Sequence, residues 1–189
     1  MSQVLIETSA RHCHLSQSDL ETLFGVGYKL NKRNDLSVPG SFAAEETVTL
    51  VAGQGQLERV RVVGPVREKT QVEISRSDAD MLKINPPLRL SGDLFGSVGG
   101  KLIGPVGEVD LVEGIIVAQR HLHGDKKLFN QLAIVDGSSV LVKLANTDEV
   151  VFDNVIARVS QGAELIIHID TDEAIWAKID ERTMGVLVK

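Results

Sequence analysis

The sequence is poor in cysteine, proline and aromatic residues, and these scarcities limit what the protein can be. Its 189 residues include one cysteine, five prolines and only 4% aromatic side chains. A single cysteine, Cys13, cannot form a disulfide within the chain and is typical of a reducing compartment. No apolar run approaches the roughly 20 residues that a membrane-spanning helix needs. Met1–Glu7 also lacks the basic start and long apolar centre of a secretory signal, so we expect a cytoplasmic protein without a membrane partner.

The sequence also has fewer basic than acidic residues. The 20 basic residues are outnumbered by 26 acidic ones, which leaves a net charge of −6 and argues against nucleic acid as a partner. A few local arginines can still bind a small anion on such a surface. The hydrophobic content of 43% is typical of a globular protein, and the length suits one domain or two small domains that share a core.

Short runs of β-branched residues, broken by turn signals, predict a mainly β chain. The predicted strands are Gln3–Thr8, Thr47–Val51, Glu58–Val63, Val72–Ser75, Val109–Ala118, Ser139–Leu144, Val150–Val159 and Glu164–Ile169. Capping residues ahead of apolar ones predict short helices at Gln17–Leu23, Ser77–Leu82 and Asp172–Ile179. The glycine-rich stretch Gly92–Gly107 is predicted to form turns and barrel corners.

An internal repeat indicates how the strands are organised. Arg11-His12-Cys13-His14 recurs as Arg120-His121-Leu122-His123, and a strand-turn-strand pattern follows each copy, the second with its turn at 146–149. Chance similarity is the alternative, because strand-turn-strand patterns resemble one another. We predict two barrel-like halves related by a pseudo-twofold and capped by short helices. One half comprises residues 1–20 and 100–189, and the other comprises residues 21–99.

The histidines are confined to three places. Four of the five form the pairs His12/His14 and His121/His123, each predicted to end a strand, and the fifth is His168 in an apolar strand. Residues i and i+2 of a strand share a face, so each pair presents two imidazoles side by side, as β proteins do around transition metals. A lone strand histidine is more often a satisfied core residue. The pairs favour a metal cluster that includes His168.

The donor types favour zinc, although they also suit cobalt, nickel or iron. Five imidazoles exceed the four ligands of one tetrahedral zinc, so two ions are expected. Glu73 is the best carboxylate candidate, because an unpaired charge inside an apolar strand is costly, and its alternative is an outward-facing position. Cys13 points away from the histidine face and is predicted to be a small buried hydrophobe.

Three arginines are candidates for a phosphate site, since a guanidinium near a metal can donate two hydrogen bonds to a phosphate. Arg11 and Arg120 precede the histidine pairs, and Arg67 follows the turn Gly64-Pro65-Val66. The sequence Gly64-Pro65-Val66-Arg67 recurs as Gly104-Pro105-Val106-Gly107 without the arginine. The turn therefore does not require Arg67, which favours a functional role. Glycine motifs of nucleotide-binding loops are missing, so nucleotide hydrolysis and dinucleotide redox chemistry have no support.

Five motifs spread in order along the chain resemble the PduL-type phosphate propanoyltransferases (phosphotransacylases). They lie at Ser9–Ser16, Gly64–Ser75, Ser91–Asp93, Arg120–His123 and His168–Glu173. The resemblance implies two β-barrel domains with a dimetal site between them and Arg67 as the phosphate ligand. The implied zinc ligands are His12, His14 and Glu73 for one ion and His121, His123 and His168 for the other. The implied contacts to coenzyme A are Ser9, Arg61 and the surroundings of His168.

The implied reaction is the reversible transfer of a propanoyl or acetyl group between coenzyme A and phosphate, directly and without an acyl-enzyme. Its partners are acyl-CoA, coenzyme A, phosphate and acyl phosphate, with a homo-oligomer left open. The alternatives are a dimetal hydrolase of thioesters and a non-catalytic metal-binding module. The chain starts close to its first motif, which favours a free cytoplasmic enzyme over one packaged for propanediol degradation in a bacterial microcompartment.

Overall fold

The computed structural model describes residues 2–145, 149–180 and 183–188. Its strands are β1 (Gln3–Ser9), β2 (His12–His14), β3 (Lys32–Asp35), β4 (Phe42–Ala52), β5 (Gly55–Gly64), β6 (Gln71–Ile74), β7 (Leu88–Arg89), β8 (Val98–Ile103), β9 (Glu108–Ala118), β10 (His121–Gly124), β11 (Ser139–Leu144), β12 (Val151–Val159), β13 (Ile166–Asp170) and β14 (Met184–Val188). Its helices are α1 (Gln17–Phe24), α2 (Arg76–Leu82), α3 (Lys126–Gln131) and α4 (Thr171–Ala177). Among the described residues, no helix is long and apolar enough to cross a membrane.

One compact unit contains Ala10–Leu36 and Gly40–Ala118. Six of its strands pair in the closed order β4-β5-β2-β6-β9-β8, and β8 returns to β4. Strand β3 extends this barrel beside β4, and β7 extends it beside β9. Leu15, Leu50 and Ile115 are among the buried side chains that fill its core.

The other compact unit contains the residues up to Ser9, Ser37–Pro39 and the residues from Gln119 onward. Its six strands close a barrel in the order β1-β13-β10-β12-β11-β14. Ile6, Leu122 and Phe152 are fully buried in its core. The chain is therefore mainly β, with two six-stranded barrels and short helices, as the sequence predicts.

The two barrels have the same pairing scheme. Strand β2 runs parallel to β5 and antiparallel to β6, just as β10 runs parallel to β12 and antiparallel to β13. Strand β9 pairs in parallel with β6 and antiparallel with β8, and β1 pairs likewise with β13 and β14. This correspondence, strand for strand, is the structural counterpart of the repeated Arg-His-x-His motif.

The strand that precedes each histidine pair belongs to the opposite unit. Strand β1 leads into β2 but pairs with β13, and β9 leads into β10 but pairs with β6. The chain passes between units at Ser9/Ala10, on either side of Ser37–Pro39 and at Ala118/Gln119, whereas the sequence placed the boundaries at 20/21 and 99/100. Strand pairing over long separations determines this membership, and local sequence patterns do not report it.

Local predictions agree with the structure for the three expected helices, whose ends shift by at most two residues. The prediction of turns throughout Gly92–Gly107 is wrong, because β8 lies within it. Glycine serves there to admit neighbouring strands: a Cβ on Gly99 would lie 2.4 Å from the carbonyl oxygen of Leu111. Helix α3, capped by Asp125, has too short an apolar pattern to be predicted. The turn predicted at 146–149 lies outside the described residues except for Glu149.

Candidate metal centres and an adjoining arginine

Each histidine pair forms a short strand of its own. The expectation that the pairs end the preceding strands is wrong, since β2 and β10 are separated from β1 and β9 by Ala10-Arg11 and Gln119-Arg120. The alternation along the strand still holds. Cys13 points into the barrel core with no exposed surface, while the imidazoles of His12 and His14 share the other face.

The first pair faces Glu73. His12 lies opposite Glu73 in the antiparallel ladder of β2 and β6. The Nε2 atom of His12 is 3.7 Å from Oε2 of Glu73, and Nε2 of His14 is 3.8 Å from Oε1. One donor atom from each residue lies within 4.8 Å of the others, an arrangement that can hold a metal ion. Glu73 is buried, so the alternative of an outward-facing carboxylate is wrong.

The imidazoles of this group are oriented by backbone carbonyls. Nδ1 of His12 lies 2.9 Å from the carbonyl oxygen of Ala10, and Nδ1 of His14 lies 2.9 Å from that of Val63. A carbonyl can only accept, so each Nδ1 carries the proton and each Nε2 keeps a lone pair. Burial lowers the pKa of His14 to about 3, and the nearby His12 and Arg67 act in the same direction. The Nε2 atoms of both imidazoles and the Glu73 carboxylate thus face one point, an arrangement that suits a cation.

The second pair meets His168. His121 lies opposite His168 in the ladder of β10 and β13, and the three rings contact one another edge to face. The Nε2 atoms of His121 and His123 are 3.0 Å apart. Nδ1 of His121 lies 2.8 Å from the carbonyl oxygen of Gln119, which reserves its Nε2 for a shared proton or a metal. This group of three imidazoles can also hold a metal ion, and His168 is not an isolated core histidine.

Glu73 and His168 occupy equivalent positions. Each lies opposite the first histidine of its pair, on a strand followed by a helix that has a capping box. The first group therefore carries a carboxylate where the second carries an imidazole. This difference gives the two centres different donor sets, although the barrels that support them are alike.

The arginine before each pair contacts that same helix. Nη1 of Arg11 is 3.2 Å from a carboxylate oxygen of Asp78, and Nη1 of Arg120 is 2.6 Å from one of Glu173. Asp78 and Glu173 are the corresponding residues of the two capping boxes. Both arginines thus tie a histidine strand to the helix that follows the third donor. Carboxylates therefore hold both guanidinium groups.

Arg67 adjoins the first group. Its backbone N–H donates to the carbonyl of Leu15 at 2.9 Å, one residue after His14. Its Nη1 donates to Oγ of Ser91 at 2.9 Å, and its charge helps to lower the pKa of His14. The structure therefore brings Arg67, the predicted phosphate ligand, next to the first group of candidate metal ligands, His12, His14 and Glu73.

Three polar residues that contact these groups were not predicted as site residues, and one of them is Glu7, whose Oε2 lies 3.3 Å from Nε2 of His168. Gln71, buried at 1% exposure, donates to Oε1 of Glu73 at 2.5 Å, and Ser160 lies 2.7 Å from Nδ1 of His123. Gln71 had a sequence signal, because it precedes Glu73 by two positions and must share its face of the strand. Ser160 had none, since its approach to β10 depends on how the chain turns after β12.

The residues implied as coenzyme A contacts lie in both units. Ser9 ends β1 opposite Asp170 on β13, the strand that carries His168. Arg61 lies beside His12 on β5, and its Nη1 donates to the carbonyls of Ala44 and Glu45 at 3.1 and 2.8 Å. A role of these residues in binding coenzyme A stays a prediction.

We expect Cys13→Ala to retain acyl-transfer turnover within a few-fold of the wild type. Burial raises the pKa of the Cys13 thiol to about 12, so no thiolate is available for nucleophilic attack at neutral pH. Turnover and zinc content of the two proteins provide the measurement. A loss of activity in a folded variant that keeps its metal would assign Cys13 a chemical role.

Comparison with known proteins places the chain in a family. The sequence profile of the phosphate propanoyltransferase family matches residues 5–180. A phosphate propanoyltransferase of Thermotoga maritima is 44% identical over 187 residues, which cover 98% of this chain and 89% of the relative. One of Salmonella typhimurium is 47% identical over 173 residues, covering 91% of this chain and 82% of the relative. The chain, with its two groups of candidate metal ligands and its adjoining arginine, therefore belongs to the phosphate propanoyltransferase family of acyltransferases.

Proposed function

We propose that this protein transfers a propanoyl or acetyl group between coenzyme A and phosphate, directly and at two bound zinc ions. The observation that carries the proposal is the convergence of His12, His14 and Glu73 beside Arg67. A cluster of acceptor atoms suits a cation, and a guanidinium next to it suits an anion. Membership in the phosphate propanoyltransferase family supports the same reaction.

The residues fit zinc at both groups. Imidazole nitrogen and carboxylate oxygen are ordinary zinc donors, and three protein ligands are typical of catalytic zinc sites. His12, His14 and Glu73 would hold one ion, and His121, His123 and His168 would hold the other. When bound, zinc would supply Lewis-acid stabilisation of negative charge that develops on the thioester and on the departing thiolate.

Arg67 would bind the phosphate that attacks the thioester. Inorganic phosphate is a mixture of monoanion and dianion at neutral pH, and Glu73 would repel either form without a compensating cation. The guanidinium can donate two charge-assisted hydrogen bonds, which fix the orientation of the anion as well as its position. Holding phosphate in this way favours its attack over that of the far more concentrated water.

Direct transfer is supported by the state of the nucleophilic side chains near the first group. Cys13 is buried and protonated. The hydroxyl oxygens of Ser16 and Ser75 accept backbone N–H groups of Asp19 and Asp78 as helix N-caps. These structural roles support the proposal that a phosphate oxygen is the nucleophile.

The proposal also includes the residues that would bind coenzyme A. Ser9, Arg61 and His168 would contact coenzyme A. The preferred acyl group can be read from the relative kcat/KM values for propanoyl-CoA and acetyl-CoA.

The test is release of free thiol from propanoyl-CoA by the zinc-replete protein, with and without phosphate. Thiol release should require phosphate, and propanoyl phosphate should form in equal amount. Thiol release at the same rate without phosphate would contradict the proposal and indicate hydrolysis. A protein that binds zinc but neither binds nor consumes acyl-CoA would be a metal-binding module instead.

A further inference from the structure

Gln71 is a buried amide whose polar atoms are paired in a defined orientation. Its Nε2 donates to Oε1 of Glu73 at 2.5 Å and to Oγ of Ser91 at 2.7 Å, while its Oε1 accepts the backbone N–H of Gly92 at 3.0 Å. A carboxylate can only accept and a backbone N–H can only donate. The amide therefore has one allowed orientation, with Nε2 toward Glu73.

The same serine hydroxyl binds Arg67. Oγ of Ser91 accepts from Nη1 of Arg67 at 2.9 Å and from Nε2 of Gln71 at 2.7 Å. An unbroken chain of hydrogen bonds thus runs from the Arg67 guanidinium through Ser91 and Gln71 to the Glu73 carboxylate. It connects the residue proposed to bind phosphate with the residue proposed to bind zinc.

The other barrel shows that the fold does not need this amide. Gln71 lies opposite His14 in the ladder of β2 and β6, and Ile166 holds the equivalent position opposite His123. Ile166 is 4% exposed, so an aliphatic side chain packs well there. Burying an amide where an aliphatic side chain fits carries a desolvation cost that its hydrogen bonds must offset. The amide occurs in the barrel that also has Arg67.

We propose that Gln71 and Ser91 are positioning residues that fix the Arg67 guanidinium relative to the Glu73 carboxylate. Ser91 accepts a hydrogen bond from Nη1 of Arg67, which keeps the guanidinium in a constant orientation toward the phosphate. Gln71 holds one oxygen of Glu73, so that the carboxylate keeps its place beside His12 and His14. The inference rests on the proposed function, because it assigns Arg67 to phosphate and Glu73 to zinc.

We call the hydrogen-bonded chain from Arg67 through Ser91 and Gln71 to Glu73 the bridge. Ser91→Ala tests its arginine end. Its phosphate KM should rise on the order of 10-fold, because a hydrogen bond to a charged group is lost. Its acyl-CoA KM and its two zinc ions should be unchanged. If Ser91 acts through Arg67, adding Ser91→Ala to Arg67→Ala should cause almost no further change in phosphate KM. A full and independent effect in the double variant would overturn the inference.

Gln71→Met tests the carboxylate end, since methionine keeps the length of the side chain and removes the amide. One of the two zinc ions should bind about 10- to 100-fold more weakly, as is typical when an outer-shell partner of a metal ligand is lost. Competition with a chelating dye measures this without any acyl transfer. Zinc affinity equal to that of the wild type would overturn this end of the bridge.

Ser97→Ala is the matched control. Ser97 is a buried serine of the same barrel whose Oγ accepts the backbone N–H of Gly114 at 2.8 Å, a hydrogen bond that involves neither Arg67 nor Gln71. Its phosphate KM and zinc affinity should equal those of the wild type, and a change as large as that of Ser91→Ala would overturn the inference. An inactive wild type would contradict the proposed function alone, because the dye competition still reports on Gln71.

Discussion

Replacing Arg67 by alanine is expected to lower the efficiency of acyl transfer to phosphate on the order of 10²-fold or more. Hydrolysis needs only water, whereas phosphorolysis must hold an anion in competition with the solvent. The guanidinium lies beside His14 and Ser91 and is the cation proposed for that task. The phosphate KM should rise and turnover should fall. Both zinc ions and coenzyme A binding should persist, because Arg67 is not among the residues proposed to hold them. The backbone hydrogen bond from Arg67 to Leu15 should also persist, because it does not involve the side chain.

The measurement is the initial rate against phosphate concentration at saturating propanoyl-CoA, with zinc content determined in parallel. Arg67→Lys should recover only part of the loss, because an ammonium keeps the charge but cannot donate two parallel hydrogen bonds. Arg33→Ala removes an exposed arginine of β3 in the same barrel and should behave as the wild type. An unchanged dependence on phosphate in Arg67→Ala would remove Arg67 from the site.

Purified protein should contain two zinc ions per chain, and His121→Ala should retain about one of them. His121 contributes one of three imidazoles in its group, and two remaining ligands bind zinc poorly. Lewis-acid stabilisation of a transition state is worth several kcal/mol, so activity should fall on the order of 10³-fold. Elemental analysis and the thiol-release assay measure both effects. Active wild-type protein without any transition metal would end the dimetal proposal.

His14→Ala is the matched variant in the other barrel. It should also retain one zinc ion, and the combination with His121→Ala should retain none, because the two groups share no ligand. Thermal unfolding of each variant reports whether its barrel remains intact. If His121→Ala kept two ions, or if either single variant lost both, the division of the ligands into two independent groups would be wrong.

Local sequence patterns were sufficient for several features of this protein. The β class follows from short β-branched runs, and the start of α1 follows from the capping residue Ser16 directly ahead of it. The side-by-side imidazoles follow from the two-residue period of a strand, which holds whatever lies next to it. For this reason the faces of His12, His14 and Cys13 were predicted correctly, although the bounds of their strand were not.

Some site features were identified by the sequence only as candidates. Glu73 could have faced outward until its register opposite His12 was known. His168 could have been a core residue until it was placed opposite His121. A shift of one residue in either ladder would turn these side chains to the other face of the strand, and a sequence does not specify register between distant strands.

The sequence by itself determined which side chains are available for the chemistry: five histidines in three places, one buried carboxylate candidate and an arginine that its turn does not require. Only the tertiary structure decided which of them meet. It assigned β1 and β9 to opposite units, placed Arg67 beside His14, and joined Arg67 to Glu73 through Ser91 and Gln71. The reason is physical: side-chain periodicity along a strand is a local property of the backbone, whereas pairing and register are set by packing between segments far apart in the chain.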